Sequence, residues 1–263
     1  MQIPRVSAAQ CRRTASITAR KLLKKAGAIL FWLLLWQLGA MLANRTLLLP
    51  IPTPVDTACA LWRMAGEGIF WLAAGLSLLR IGAGFIIAAL VGALCALASV
   101  RWPLFQWLMA PLLQLIRAIP VAVFTILVFL WVSRPYIPSS IVLLTVLPVV
   151  WSNLETGLRH ADPQLAEMAR VFGMRERDIL RRIILPQLRP YAVAALSTGL
   201  GFAWKSGIAA EVICRTQGSL GDLLWSGKSS VSYDEVFALT VVIVLCSSLL
   251  QGAARKEARH AAS

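Results

Sequence analysis

Six long apolar segments constrain this 263-residue chain more than any other feature of its sequence. A helix needs about 20 predominantly apolar residues to cross the hydrocarbon core of a bilayer, and each segment reaches or approaches that length. Only 14% of the residues are charged, whereas a soluble domain has about 25%. The sequence therefore predicts an all-α membrane protein with six transmembrane helices, which we place at 26–44, 76–99, 105–133, 137–153, 187–210 and 236–252.

The distribution of basic residues predicts how these helices are oriented, because loops on the cytoplasmic side carry an excess of Lys and Arg. With the N-terminus inside, the cytoplasmic side receives a basic tail at 1–25, Arg101, the loop between the fourth and fifth spans, and a tail at 253–263. With Arg189, at the start of the fifth span, counted with the loop, these parts hold 18 of the 26 basic residues. We therefore predict that both termini are cytoplasmic. The same bias explains the net charge of +14, so the charge indicates no nucleic acid partner.

The loop between the fourth and fifth spans, about 154–186, contains the pattern of a short helix. Asp162 is a favourable N-cap, and Pro163 suits the first helical position. Gly173 stands where a residue in the left-handed conformation commonly ends a helix. Between these residues, apolar side chains recur at helical spacing and predict a single apolar stripe: Leu165, Met168, Ala169 and Phe172.

A second helix is predicted in the same loop, from near Arg175 to a point before Pro186, with four apolar residues buried: Ile179, Leu180, Ile183 and Ile184. The loop would then have one apolar and one basic face. From the residues alone, two interpretations are open. The loop lies on anionic lipid headgroups of the membrane, or it is a docking site for another protein.

A longer pattern in this loop resembles a known signature. Glu167, Met168 and Ala169 are followed after three residues by Gly173, and after nine more by the sequence IILP. This run resembles the EAA signature of permease subunits of ABC importers, E-A-A-x3-G-x9-I-x-L-P, with Met168 as the one departure. The stretch "IRAIPVAVFTILVFLW" resembles the third span of that family, and "GLGFAWKSGIAAEVI" is similar to the fifth span of its nitrate, sulfonate and taurine branch.

The resemblance implies the transmembrane fold of a type I ABC importer in a bacterial cytoplasmic (inner) membrane. Residues 26–252 would form the permease domain, and the chain would not be an enzyme. It would assemble as a homodimer with two ATPase subunits, which bind ATP and Mg, and with an external solute-binding protein, so no cofactor is expected in this chain. The loop would dock on the ATPase through Leu165, Glu167, Met168, Ala169, Phe172, Gly173, Ile183, Leu185 and Pro186.

Ionisable residues inside membrane spans are costly and indicate functional sites. Lys205 precedes Ser206 in a run of small residues, where a polar path could open. A cation there suits an anionic solute such as a sulfonate or nitrate, although some members of the resembled branch carry neutral or cationic vitamin precursors. We take Lys205, Ser206, Glu211 and Arg117 as candidates for the translocation path. The alternative is that they only pack, with Arg117 or Arg80 as a partner of Glu211.

The stretch "LGDLLWSGKSS" at 220–230 comes close to a phosphate-binding loop. Such a loop has four residues between its glycines and lies between a strand and a helix, whereas five residues separate Gly221 from Gly227 here. The predicted topology also places the stretch on the outer face, away from cytoplasmic ATP. We interpret it as part of a polar, glycine-containing loop in which Gly218 and Gly221 suit a tight re-entrant turn. It is either a solvated connector or part of the surface on which the external binding protein docks.

One other class of transporter deserves comparison. An ion-coupled secondary transporter would be expected to show inverted repeats and carboxylates at the membrane midplane. No repeat is visible, and no carboxylate lies within the bounds of a predicted span, with Glu211 at the edge of the fifth. A catalytic or metal-binding cluster is also not expected, because the chain has only two histidines and its acids are mostly in loops. The sequence therefore favours the ABC permease.

Overall fold

The computed structural model describes residues 8–46 and 50–262, and within these ranges the chain is helical and contains no β-strand. A 3₁₀ turn at Arg134–Tyr136 and a π turn at Leu180–Ile184 accompany the α-helices. In chain order the α-helices are α1 (Ala8–Thr46), α2 (Pro54–Ala65), α3 (Gly68–Arg101), α4 (Pro103–Ala118), α5 (Val121–Phe129), α6 (Ile137–His160), α7 (Pro163–Val171), α8 (Glu176–Ile179), α9 (Leu185–Cys214), α10 (Leu220–Ser229) and α11 (Tyr233–Ala262).

Helices α3, α6 and α9 form the centre of the bundle and pack closely on one another. Small residues permit this approach. A Cβ added to Gly84 of α3 would lie 2.5 Å from the carbonyl oxygen of Ser139 in α6, and one added to Gly207 of α9 would lie 2.5 Å from Ile81 Cγ1. Membrane helices associate through such small residues because burial of apolar surface gives no net gain in lipid. These contacts fix α9, which carries three of the four candidate residues of the translocation path.

Four described segments are long and apolar enough to cross a membrane: Gly27–Arg45, Gly68–Arg101, Arg134–His160 and Tyr233–Ala254. They coincide with the first, second, fourth and sixth predicted spans, and α4 with α5 makes a fifth if the bent pair is counted as one. The fifth predicted span lies in the 30-residue α9. Over a membrane-length stretch α9 is less apolar than the four segments above, because it contains Lys205 and Glu211. The count of six spans and the cytoplasmic position of both termini stay predictions.

The third predicted span, 105–133, is not one helix. It consists of α4 and α5, which meet at an angle of 102°. Pro120 explains the break, because proline has no N–H for the helical ladder and disfavours helical geometry at the residue before it. Ile119 is accordingly extended, with φ −79° and ψ 126°. Pro111, in contrast, lies within α4.

The sequence predicts that the second helix of the loop ends before Pro186, and this prediction is wrong. Helix α8 continues through the π turn into α9, and Pro186 lies in the first turn of α9. In the π turn the Leu185 N–H donates to the Leu180 carbonyl oxygen, five residues earlier. This wider turn precedes a proline whose ring would crowd the carbonyl oxygen of a regular helix. Ile179 is buried as predicted, whereas Leu180 is exposed.

The stretch 220–230 is also not a loop, because residues 220–229 form helix α10. Ser219 begins the helix, and its side chain accepts a hydrogen bond from the Asp222 N–H, as an N-cap serine does. Of the two glycines predicted to form a tight turn, Gly218 does so with a φ of +65°, whereas Gly221 lies in α10. Both glycines of the near-miss motif, Gly221 and Gly227, therefore belong to a packed helix.

Candidate functional site

The first helix of the loop forms as its sequence predicts. The Asp162 carboxylate accepts a hydrogen bond from the Gln164 N–H at 2.8 Å, and Pro163 is the first residue of α7. The Asp162 N–H donates to Gln187 Oε1 at 2.8 Å, which connects the start of α7 to α9. At the other end Gly173 has a φ of +76°, the left-handed conformation that glycine adopts without a Cβ clash. The turn between α7 and α8 is therefore built around a glycine.

The loop, which we call the coupling loop (154–186), has a small apolar core of its own. Ala166, Ala169 and Ile179 are buried and pack against Met174 and Ile183, among others. This core lies on one side of α7. The apolar stripe predicted from the sequence is consequently divided, with Ala169 in the core and its other members outside it.

The exposed members of the stripe form an open apolar groove of about 570 Å³, which we call the coupling groove. The exposed fractions of Leu165, Met168 and Phe172 are 42%, 53% and 78%. Exposed apolar surface that is continuous over several side chains commonly indicates an interaction site. The groove is lined by Leu165, Met168, Ala169, Phe172, Met174, Arg182, Ile183, Pro186 and Gln187.

Six of the nine residues predicted to dock on the ATPase line this groove, and three do not. Glu167 is exposed on α7, and Gly173 forms the turn. Leu185 lines a second cavity of about 420 Å³ together with Arg181 and Arg189. The groove residues that the sequence did not indicate are Met174, Arg182 and Gln187. No position of the signature includes them, and they reach the groove only because α8 continues into α9.

An ion pair joins α7 to α8 beside the groove. Arg170 Nε donates to Glu176 Oε1 at 2.7 Å. This hydrogen bond lowers the pKa of Glu176 below its ordinary value and raises that of Arg170. Both side chains are exposed, and exposed ion pairs contribute little to stability. The contact therefore orients the two helices more than it stabilises them.

A polar cleft of about 330 Å³ lies between α9 and α11 and contains Lys205, one of the predicted path residues. Lys205 is exposed and has neither a hydrogen bond nor an ion pair with any residue in the part of the chain that the structure describes. The ammonium group is therefore available to a ligand or solvent. The cleft is lined by Ser197, Thr198, Gly201, Phe202, Lys205 and Gln251.

The other predicted path residues lie elsewhere. Ser206 is buried, and its hydroxyl oxygen lies 2.9 Å from that of Thr145 in α6. Arg117 donates to the Pro148 carbonyl oxygen at 2.9 Å and to the Ser152 hydroxyl. These contacts join α9 and α4 to α6, and they are typical of helix packing.

Glu211 is completely buried, on a different side of α9 from the exposed Lys205, as their spacing predicts. Its carboxylate accepts a hydrogen bond from the Ser77 hydroxyl at 2.8 Å. Neither predicted partner forms an ion pair with it. Arg117 binds α6, and Arg80 donates to the Gln217 carbonyl oxygen at 3.2 Å. The sequence identified the costly charge but not the groups that compensate it.

Comparison with known proteins shows where this architecture belongs. Residues 84–255 match the family described as the binding-protein-dependent transport system inner membrane component. The chain belongs to this family. The nitrate import permease of Leptolyngbya laminosa is 28% identical over 187 residues, which are 70% of this chain and 66% of that one. The taurine transport system permease of Escherichia coli K12 is 28% identical over 210 residues, 76% and 75% of the two chains.

A solved structure shows the same fold. A subunit of a bacterial alginate ABC transporter, in complex with a periplasmic protein that binds an alginate pentasaccharide, has a TM-score of 0.60 at 15% identity. The likeness covers 93% of this permease and 96% of that chain. The predicted class is therefore confirmed: the chain is a multi-pass inner-membrane permease subunit of an ABC importer. The alternative of an ion-coupled secondary transporter is set aside.

Proposed function

We propose that this permease assembles as a homodimer with two ABC ATPase subunits and an external solute-binding protein. The ATPase subunits would bind ATP and Mg, and the permease would transmit their motion without cofactors of its own. The family description, which specifies binding-protein-dependent transport, supports the external partner. A type I importer core needs two sets of membrane spans, and a second copy of this chain is the simplest source of the other set.

The coupling groove is the observation that carries this proposal. Its exposed apolar side chains, Leu165, Met168 and Phe172, have no cover within the described chain. Burying one such side chain is worth about 1.5–3 kcal/mol, so a partner protein that fits the groove would gain affinity. The predicted topology places the groove on the cytoplasmic side, where ATPase subunits are found. We therefore assign the groove to the ATPase rather than to lipid headgroups.

Motion of the groove would reach the membrane through α9. The coupling loop continues through the π turn into this 30-residue helix without a break, and the Asp162–Gln187 hydrogen bond adds a second connection. ATP-driven movement of the ATPase subunits would therefore tilt α9. In a homodimer this tilting would open the solute path alternately to each side.

The polar cleft is the part of this chain best suited to a solute. Lys205 has no carboxylate partner among the described residues, and hydroxyl groups of Ser197 and Thr198 lie in the same cleft. A free cation surrounded by hydrogen-bond donors suits a small organic or inorganic anion such as a sulfonate or nitrate. Ser206, Glu211 and Arg117 would support the helices around the path rather than contact the solute.

A matched pair of substitutions tests the assignment of the groove. Phe172→Asp places a charge in the groove, whereas Val171→Asp places the same charge at a neighbouring residue that is 86% exposed and does not line it. The tagged chain would be purified from its native membranes in mild detergent, and its partners would be identified by mass spectrometry. We expect an ABC ATPase and a binding protein with the wild type and with Val171→Asp.

With Phe172→Asp we expect the ATPase to be lost while the amount of permease in the membrane is unchanged. Equal recovery of the ATPase with both variants would refute the assignment of the groove. Failure to recover any ATPase with the wild type would refute the wider proposal, and ion-coupled transport would then be tested in vesicles.

A further inference from the structure

A cluster of buried polar groups joins α10 to α3 and α9, at the end of α9 farthest from the coupling loop. Glu211 Oε2 accepts hydrogen bonds from the Ser77 hydroxyl at 2.8 Å and from the Gly221 N–H at 3.4 Å. The Ser77 oxygen in turn accepts one from the Leu220 N–H at 3.0 Å. We call these four residues the capping cluster. All four are buried.

The capping cluster supplies hydrogen-bond acceptors for N–H groups at the buried start of α10. The first N–H groups of a helix have no partner within it, and buried donors without an acceptor are destabilising. In α10 the N–H groups of Leu220 and Gly221 are satisfied by Ser77 from α3 and Glu211 from α9. A carboxylate is also favoured near the positive end of a helix dipole. Glu211 is therefore a cap that one helix provides for another.

Gly221 allows this contact to be unusually close. A Cβ added to Gly221 would lie 2.5 Å from Glu211 Cβ and 2.6 Å from the Val212 backbone nitrogen. The nearest neighbours are therefore atoms at the base of a side chain and in the backbone of α9, which have little freedom to move away. Consequently α10 rests directly on α9 with no intervening side chain.

The connection between the two helices is also restrained. Arg215, the residue after α9, is left-handed with a φ of 50°. The Gly218 N–H donates to Asp222 Oδ2 at 3.2 Å, and Arg80 donates to the Gln217 carbonyl oxygen. Segment 215–219 is thus bound both to α10 and to α3. It offers no hinge between α9 and α10.

Two exposed cations lie over Trp225 of α10: Arg215 from the segment before the helix and Lys228 from the helix itself. The Arg215 guanidinium and the Lys228 ammonium lie 5.2 Å and 4.7 Å from the ring centre of Trp225, within the range of cation–π attraction. Neither cation forms an ion pair with a described carboxylate. In the predicted topology these residues face the outside, where the solute-binding protein would dock.

We propose that Glu211 is a positioning residue that joins α9 and α10 into one rigid body, so that α10 reports the state of the coupling loop to a docked solute-binding protein. Helix α9 is about 45 Å long at 1.5 Å per residue, with the coupling loop at one end and the capping cluster at the other. Coupling between two sites requires an element whose position both sites influence. The inference rests on the proposed function, because it requires both partners.

The test uses the complex of permease, ATPase and binding protein recovered from membranes and reconstituted in lipid. ATP hydrolysis would be measured with and without the binding protein for Glu211→Gln and Gly221→Ala. Gln keeps the size of the side chain but replaces one carboxyl oxygen by an amide nitrogen, which cannot accept a hydrogen bond from α10, and Ala separates the two helices. Gly75→Ala is the matched control, because a Cβ on this α3 residue would meet nothing within 4 Å.

We expect both test variants to assemble and to keep basal hydrolysis within twofold of wild type. Stimulation by the binding protein should fall at least fivefold in both, and Gly75→Ala should behave as wild type. Unchanged stimulation in both test variants overturns the inference. The inference is also overturned if both test variants lose assembly and basal hydrolysis together and the milder Ser77→Ala variant shows the same combined loss.

A lower stimulation at normal basal hydrolysis in Ser77→Ala supports the inference even where the other variants do not assemble. The failure of the proposed function has a different signature. In that case the wild-type chain itself recovers no ATPase, or its ATPase does not respond to the binding protein.

Discussion

Replacing Gly173 by alanine measures the free-energy cost of the left-handed backbone conformation in the turn of the coupling loop, separately from any steric clash. At φ +76° a Cβ is strained, yet one added here would meet no atom within 4 Å. The cost is therefore conformational and amounts to about 1–2 kcal/mol for an L-residue in the left-handed region. Because 1.4 kcal/mol corresponds to a factor of ten, the population of the native turn should fall about five- to thirtyfold relative to alternatives.

Part of that loss should appear as weaker binding to the ATPase, because the turn fixes α7 and with it the coupling groove. Affinity would be measured by titrating the purified ATPase onto the permease in lipid nanodiscs. We expect Gly173→Ala to weaken binding severalfold and Gly173→Asn to weaken it less, since Asn tolerates the left-handed region better than Ala. Equal affinities for Ala and Asn, or no change for either, would show that the left-handed turn does not control docking.

Three other predictions concern Lys205 in the polar cleft, the start of helix α2, and the packing of α3 on α6. Lys205→Ala should reduce uptake of an anionic solute at least fivefold and Lys205→Arg less, with ATPase recovery unchanged; equal uptake of neutral solutes by wild type would contradict the anion assignment. Thr53 and Asp56 form a capping box at the start of α2, and the hydrogen bond from Thr53 lowers the pKa of Asp56, so the box stabilises α2 at neutral pH and is lost as pH falls through that lowered pKa. Protection of the α2 amides from hydrogen exchange, relative to the intrinsic exchange rate at each pH, should fall there in wild type, and Asp56→Asn should remove this dependence. Gly84→Val should lower the thermal unfolding temperature in detergent, whereas Gly82→Val, where the Cβ would meet nothing, should not.

Features that depend on neighbouring residues in the chain were predictable. Asp162, Pro163 and Gly173 define α7 through capping, a fixed φ and a left-handed turn, and each effect acts within a few residues. The exposed groove was predictable in the same way, because the stripe at 165, 168 and 172 follows from helical spacing. The remaining wall of the groove was not predictable, since the positions of Arg182 and Gln187 depend on a π turn that has no clear sequence pattern.

Effects of tertiary context were not predictable from the sequence. Pro120 ends a helix, but prolines at 111, 148 and 190 lie inside helices. The residue type alone therefore does not decide where a helix ends. The partners of Glu211 were missed for a related reason. A search for opposite charges leads to arginines, whereas one oxygen of the carboxylate, Oε2, accepts hydrogen bonds from a hydroxyl 134 residues away and from a backbone N–H.

The π turn at Leu180–Ile184 has a consequence for how this permease can diverge from its relatives. A π turn contains one residue more than the α-helical turn it replaces, and each residue of an α-helix turns the chain by about 100°. Because the π turn takes up its additional residue within one turn, deletion of a single residue there leaves the direction of the coupling groove nearly unchanged. Rewinding the same residues into an α-helix would instead rotate the groove by roughly that angle about α9, and Pro186 opposes this because its ring would crowd a carbonyl oxygen of the regular helix. A relative can therefore gain or lose one residue at this point while the fit between the permease and its ATPase is kept.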